Sequence, residues 1–239
     1  MQERLIQIYS LLEKFYGKTF WWPAESSFEV MVGAILTQNT NWRNVEKSLY
    51  NLKNAGLLDF NKICGIDDFA LKELIKPSGF YNLKTKRLKN FVNTINKICN
   101  GNIERLKNMN FQNLRKTLLE INGIGKETAD SILLYALDFP VFVVDAYTKR
   151  LFKRLGINLS EDYDDLQNMF HKHITYDVEI YKEYHALIVN VCKDFCRKKP
   201  KCEFCPLKIE CNYYNSHCWS GDRPNIREES PDTAEQGNR

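Results

Sequence analysis

The sequence predicts an all-α protein, and three observations carry that expectation. Apolar residues recur at three- and four-residue spacing along most of the chain. The run "FEVMVGAIL" is apolar nearly all round, as a buried central helix would be. The one β-like run, "PVFVV" at 140–144, has no evident partner strand, so an extended connection is expected there.

The elements follow in order. Leu5, Ile8, Leu12 and Phe15 stripe a first amphipathic helix, and "FEVMVGAIL" supplies the central one. Val45, Leu49 and Leu52 stripe a third, Leu88, Phe91, Ile95 and Ile98 a fourth, and Phe111, Leu114 and Leu118 a fifth. Each stripe reads as core. After the extended run, Asp145 reads as the N-cap of a helix through "AYTKRLFKRLG", which Gly156 would end. Further helices are expected over about 164–173 and 178–191. The polar stretch after Trp219 reads as a disordered tail, with the ordered chain ending near 215.

Bulk composition excludes some classes and leaves others open. With 239 residues and 44% hydrophobic side chains, the chain can bury a sizeable core. Lys and Arg outnumber Asp and Glu by 34 to 30, which permits an anionic partner without requiring one. No secretory signal and no apolar run long enough to span a bilayer are present, so a soluble cytoplasmic protein is expected. Of the eight cysteines, six fall between Cys192 and Cys218, which points to metal rather than to a disulfide framework.

The stretch "INGIGKETADSILL" places Gly123 and Gly125 in a break between two helical runs. Glycines there free the backbone and leave amide groups uncovered at the start of the second helix. Those amides, the helix dipole and Lys126 suit a phosphate oxygen. A tight turn between helices that binds nothing has the same local signature. The context downstream separates the two. "LLEINGIGKETADSILLYAL", a spacer and then "VVDAY" resemble the helix-hairpin-helix DNA glycosylases of the endonuclease III superfamily. The resemblance implies that the hairpin holds the DNA backbone and that Asp145 is the catalytic carboxylate. A carboxylate under the sugar stabilises the oxocarbenium-like state formed as the base departs.

Some members of that superfamily carry a lysine in the second hairpin helix that forms a Schiff base with the sugar. Alignment on the glycines and Asp145 puts Glu127 there instead. Lys126 lies about 100° round the helix from that position. A monofunctional glycosylase, without lyase activity, is therefore expected.

"FWWPAESSFEVMVGAILTQNTNW" holds Trp21, Trp22, Pro23 and Trp42, three of the four tryptophans of the chain. Core packing is the ordinary fate of tryptophan, but these sit outside the helix stripes. With "GAILTQNT" and "KPSGFYNLKTKRL", they look most like the 3-methyladenine DNA glycosylases of the superfamily. By that resemblance Trp21, Trp22 and Trp42 line a base pocket that Pro23 shapes. Gln38 then fills the gap left by the flipped nucleotide. Aromatic faces favour cationic alkylpurines and offset part of the flipping cost. A glycosylase for uracil or mismatched thymine is the nearest rival, and a non-catalytic DNA-binding module with a zinc-stabilised tail is a rival of another class.

"CRKKPKCEFCPLKIEC" spaces Cys196, Cys202, Cys205 and Cys211 as C-x5-C-x2-C-x5-C. Four thiolates can hold zinc or a [4Fe-4S] cluster. The resemblance implies the iron–sulfur loop, although the usual first gap is one residue longer. Cys192 is the alternative first ligand, and Cys218 is spare. Arg197, Lys198, Lys199 and Lys201 make a basic loop suited to phosphate contacts. Together these readings imply two lobes, a helical barrel over 19–138 and a cluster lobe of 1–18 with 139–215. Double-stranded DNA would bind in the cleft between them, to a monomeric, nucleoid-associated enzyme.

Overall fold

The computed structural model describes residues 1–19, 21–157 and 162–217, and among them there is no strand. The chain opens with α1 (Gln2–Tyr16) and reaches the central helix α2 (Ser27–Leu36). Every α2 residue from Phe28 to Leu36 is buried. Then come α3 (Trp42–Asn54), α4 (Phe60–Gly65), α5 (Asp68–Ile75) and the long α6 (Tyr81–Cys99). The hairpin is α7 (Phe111–Glu120) and α8 (Lys126–Ser131), and α8 runs on as a π-helical turn over Ile132–Ala136. The last elements are α9 (Ala146–Arg154), α10 (Tyr163–His173), α11 (Val178–Asp194) and α12 (Asn212–His217).

Side-chain caps set most helix starts. Ser26, Asn41, Asp59, Asp67, Asn110, Asp145, Asp162 and Asp177 each accept a backbone N–H of the first turn that follows. α2 packs on α3, α6 and the π turn, which makes it the axis of the first group of helices. α1 crosses back to pack on α11, and α11 packs on α9. The Tyr184 hydroxyl donates to the Leu5 carbonyl at 2.8 Å, which fixes that crossing.

The stripes end earlier than their spacing suggests. Leu5, Ile8 and Leu12 are buried, but Phe15 is 52% exposed and packs edge-on to Tyr16 and Phe195. Ile98 is 37% exposed at the end of α6, where the buried face passes from Ile95 to Cys99 instead. Residues 216 and 217 belong to α12, so the helical chain extends past 215; the rest of the expected tail, with Cys218, lies outside the described residues.

The 140–144 run is extended and buried, and side chains of α10 take the place of a partner strand. The Phe142 N–H donates to His171 Nε2 at 2.9 Å, and its carbonyl accepts from Gln167 Nε2 at 2.7 Å. The Val144 N–H reaches the Tyr163 hydroxyl at 3.5 Å. Buried backbone groups require such partners. The same side chains join the hairpin: Tyr163 and Gln167 also donate to Asp130 Oδ2 at 2.8 and 2.7 Å. Arg115 of α7 grips Asp130 with two bonds of 2.7 and 3.0 Å. One fully buried carboxylate thus ties both hairpin helices to the segment that delivers Asp145.

Candidate active site

Asp145 lies at the buried N-terminus of α9. Its Oδ1 accepts from Thr148 N at 2.7 Å and from Thr148 Oγ1 at 2.9 Å. Its Oδ2 lies 3.5 Å from His185 Nε2. Burial alone would raise the carboxyl pKa, but His185 and the two Thr148 donors outweigh it, and the pKa falls below the ordinary aspartate value. The site therefore keeps a desolvated carboxylate in its charged form.

An aromatic wall stands beside it. Trp22 packs at a right angle to Trp42, with ring centres 5.1 Å apart, and tilts over Tyr135 at 5.4 Å. Trp21 meets Trp22 edge-on at 6.5 Å. All three tryptophans are half-buried, and Pro23 is exposed next to them. Gly33 of α2 explains how Trp22 lies so close to the central helix. A Cβ there would come within 3.2 Å of Trp22 Cζ2. The Lys193 ammonium sits 4.8 Å over the Trp21 ring, a cation–π contact at the edge of the wall.

The two hairpin glycines differ. Gly123 has φ of 94°, and a Cβ on it would meet Arg87 Cγ at 2.4 Å. Gly125 caps α8 with φ of −93°, and a Cβ there would meet nothing within 4 Å. The fold needs the first glycine and does not need the second. Gln38 braces the turn: its Nε2 donates to the Gly123 carbonyl and to Thr128 Oγ1, each at 3.0 Å. Arg87 Nη1 donates to Gln38 Oε1 at 2.5 Å. Lys126 forms a 2.6 Å ion pair with Asp164 of α10, so its charge is partly matched within the chain. Glu127 is exposed; packing around its carboxylate, and then the charge of Asp145, raise its pKa.

The cysteines gather at the far end of α9. Cys196, Cys202, Cys205 and Cys211 line one pocket with Leu151, Leu155 and Leu207. Arg154 donates to Cys196 Sγ at 3.3 Å, a neighbour that favours a thiolate. Cys192 is buried one turn earlier on α11, directs its thiol to the Tyr147 carbonyl and does not line the pocket. Four soft thiol donors around one pocket fit a cysteine-ligated iron–sulfur or zinc group. The basic loop hangs from the same framework, because Arg154 also holds the Arg197 and Lys198 carbonyls. Arg197 folds back on the Lys193 carbonyl, and Lys198, Lys199 and Lys201 are exposed.

Sequence reasoning missed several residues that the fold brings here. Arg87, Tyr135, Thr148 and His185 touch the residues it singled out. Phe80 is another: it is 66% exposed and held at φ 47° just before α6. Lys84 fixes that approach by donating to the carbonyls of Leu36 and Ser78 at 2.7 and 2.6 Å, which ties the Phe80 loop to the end of α2 beside Gln38. Burial, and then the Arg87 charge, push the Lys84 pKa down to about 8.

A helical hairpin linked through buried side chains to a desolvated aspartate, beside an aromatic wall, defines a base excision DNA glycosylase. The chain belongs to the HhH-GPD superfamily of base excision DNA repair proteins, whose pattern matches residues 32–175. It is 56% identical over 212 residues to a Methanocaldococcus jannaschii protein that bears the provisional name of a DNA repair glycosylase. That match covers 87% of this chain and 96% of the relative. The H. pylori 3-methyladenine DNA glycosylase MagIII, solved bound to 1,N6-ethenoadenine, is 39% identical with a TM-score of 0.71, over 80% of this chain and 96% of that one. Endonuclease III in a non-covalent DNA complex shares the fold, at 19% identity and a TM-score of 0.77, over 90% and 97% of the two chains.

Proposed function

We propose that this glycosylase is monofunctional and releases an alkylated purine, such as 3-methyladenine, from double-stranded DNA by hydrolysis. The observation that carries this reading is the wall of Trp21, Trp22, Trp42 and Tyr135 beside an ionised Asp145, with Glu127 rather than an amine at the hairpin position. The likeness to MagIII supports it. Flipping delivers the base to the wall, where π faces attract an electron-poor or cationic purine. Such a base already strains its bond to the sugar. Asp145 stabilises the positive charge that grows on the sugar as the bond breaks, and it orients or deprotonates the water that adds to C1′. Exposed Phe80 approaches the duplex from the same edge as Gln38, and Gln38 joins it in the space that the base leaves by exchanging its bonds to the hairpin turn and Arg87 for bonds to DNA. Gly125 accepts a phosphate against its bare backbone. The barrel of residues 19–138 and the lobe of 1–18 with 139–215 enclose the DNA cleft.

A panel of duplexes tests both parts. Those carrying methylated purine, 1,N6-ethenoadenine, uracil, oxidised pyrimidine or mismatched thymine are incubated with the enzyme, and released base is scored with and without borohydride. Free alkylpurine and intact abasic strands are expected, with no trapped protein–DNA adduct. Release of uracil or thymine alone would overturn the substrate class. A trapped adduct would overturn the monofunctional reading and would implicate Lys193, whose amine lies at the pocket edge.

We assign a [4Fe-4S] cluster to Cys196, Cys202, Cys205 and Cys211. They line one pocket, and their C-x5-C-x2-C-x5-C spacing is similar to the four-cysteine iron–sulfur loop of the endonuclease III superfamily. When bound, the cluster supplies structural cross-linking of the loop, and Arg154 and Arg150 hold the backbone around Cys196 against α9. The aerobically purified protein should be brown with about four irons per chain. Cys205→Ser should lose the colour and melt at lower temperature. Stoichiometric zinc without iron would refute the assignment.

A further inference from the structure

The two oxygens of Asp145 are treated differently. Oδ1 takes both donors of Thr148, whereas Oδ2 takes neither and faces His185 Nε2 at 3.5 Å. That spacing is a charge contact rather than an aligned hydrogen bond. His185 is buried on α11, and its Nδ1 lies 2.7 Å from the Tyr135 hydroxyl. The same hydroxyl also reaches the Lys182 carbonyl at 3.3 Å. Tyr135 stands on the π turn of the hairpin's second helix, and its ring lies against Trp22.

One hydroxyl hydrogen and two acceptors give Tyr135 two settings. When the imidazole is neutral and carries its proton on Nε2, Tyr135 donates to Nδ1. When the imidazole is charged, Nδ1–H donates to the Tyr135 oxygen and Tyr135 donates to the Lys182 carbonyl. Each setting pairs the Nδ1 side of the ring and keeps Nε2 toward Asp145, in charge contact without a hydrogen bond of its own.

We propose that His185, set by Tyr135, is a positioning residue that acts as the counter-charge of Asp145 and holds Oδ2 ionised and aimed at the sugar. The other groups around the carboxylate do not replace it. Glu127 on α8 is of like charge. Lys149 and Tyr147 on α9 and Lys193 on α11 keep solvent access, and Cys192 on α11 and Tyr135 are neutral. A buried carboxylate needs a buried partner, and among the described residues His185 is the one shown approaching Oδ2 from within the core.

This inference rests on Asp145 being the catalytic carboxylate, and the test separates the two. His185→Gln keeps the shape of the side chain and cannot carry charge. Single-turnover release of methylpurine from methylated duplex DNA is measured from pH 4 to 9. The Asp145 limb should move up by about one pH unit or more in His185→Gln, because an opposite charge lowers a carboxyl by about that much. The rate should fall as the raised limb enters the acid end of the range, by up to about tenfold for larger shifts, and far less at the alkaline end. An equal fall at all pH values, with the limb unmoved, would overturn the proposal. A fall of at least about 10²-fold in Asp145→Asn is needed for the parent reading, and full activity there would sink that reading instead.

A second measurement needs no substrate. Thermal melting of wild type, Asp145→Asn, His185→Gln and the double variant forms a cycle at each pH. The Asp145 carboxyl is lowered in the folded state, so its contribution is present above the unfolded aspartate pKa and is lost as pH falls through the folded value. Coupling between 145 and 185 should accordingly be present near neutrality and fade in acid. Additivity at every pH would refute the pairing. If His185→Gln does not fold, Tyr135→Phe replaces it, with a shift in the same direction and smaller.

Discussion

Asp145→Asn should abolish base release while leaving the fold and DNA binding in place. The substitution is clean because Asp145 has two jobs that asparagine separates. As the N-cap of α9 it accepts from Thr148 N and Oγ1, and asparagine caps a helix about as well as aspartate. As a charge, in the proposed mechanism, it faces the sugar from a buried site in which His185 and Thr148 keep it ionised despite desolvation. Asparagine cannot supply that charge or take a proton from water. A preorganised electrostatic group of this kind is worth about 10²–10³ in rate. Single-turnover release from a methylated duplex should fall by at least that factor, and gel-shift affinity for the same duplex should change little. Asp145→Ala should lose the rate equally and in addition about 1 kcal/mol of stability, because it removes the cap. Base release by the asparagine variant at the wild-type rate would mean that the chemistry lies elsewhere.

The parts of this site that the sequence disclosed are the local ones. Gly123, Gly125 and Lys126 stand within four residues, and the Asp145 cap needs only Thr148 beyond it. The cysteine spacing identified four residues that line one pocket, and Cys192 is buried in contact with the first of them, Cys196. What sequence concealed is what distant elements contribute. His185 is one histidine in an amphipathic helix, 50 positions from Tyr135 and 40 from Asp145, and no periodicity marks it. Arg87 reads as one more cation in "KTKRL", yet its aliphatic stem lies where a Cβ of residue 123 would be. Tyr135 faces the histidine from a π turn, and a regular helical wheel cannot anticipate such a turn. Asp130 was part of the hairpin motif with no role of its own; only the fold shows it joining α7, α8 and α10.

Alanine at the two hairpin glycines should give opposite results in stability and the same result in binding. At Gly123 the backbone is held at φ 94°, where side chains are strained, and the new methyl would collide with Arg87. Relief must move Arg87, which holds Gln38, which holds the Gly123 carbonyl and Thr128. Gly123→Ala should cost about 1–3 kcal/mol of folding stability, and DNA affinity should fall with the deformed turn. At Gly125 the backbone is ordinary and the space beyond it is open, so Gly125→Ala should change stability by less than about 0.5 kcal/mol. The fold gives no reason for a glycine there, and a close-lying phosphate does. Gly125→Ala should therefore weaken duplex binding about as much as Gly123→Ala while melting like wild type. Urea denaturation and fluorescence anisotropy on one duplex would measure both quantities. Undiminished affinity in Gly125→Ala would remove the phosphate from this turn and leave the hairpin as a connection between helices.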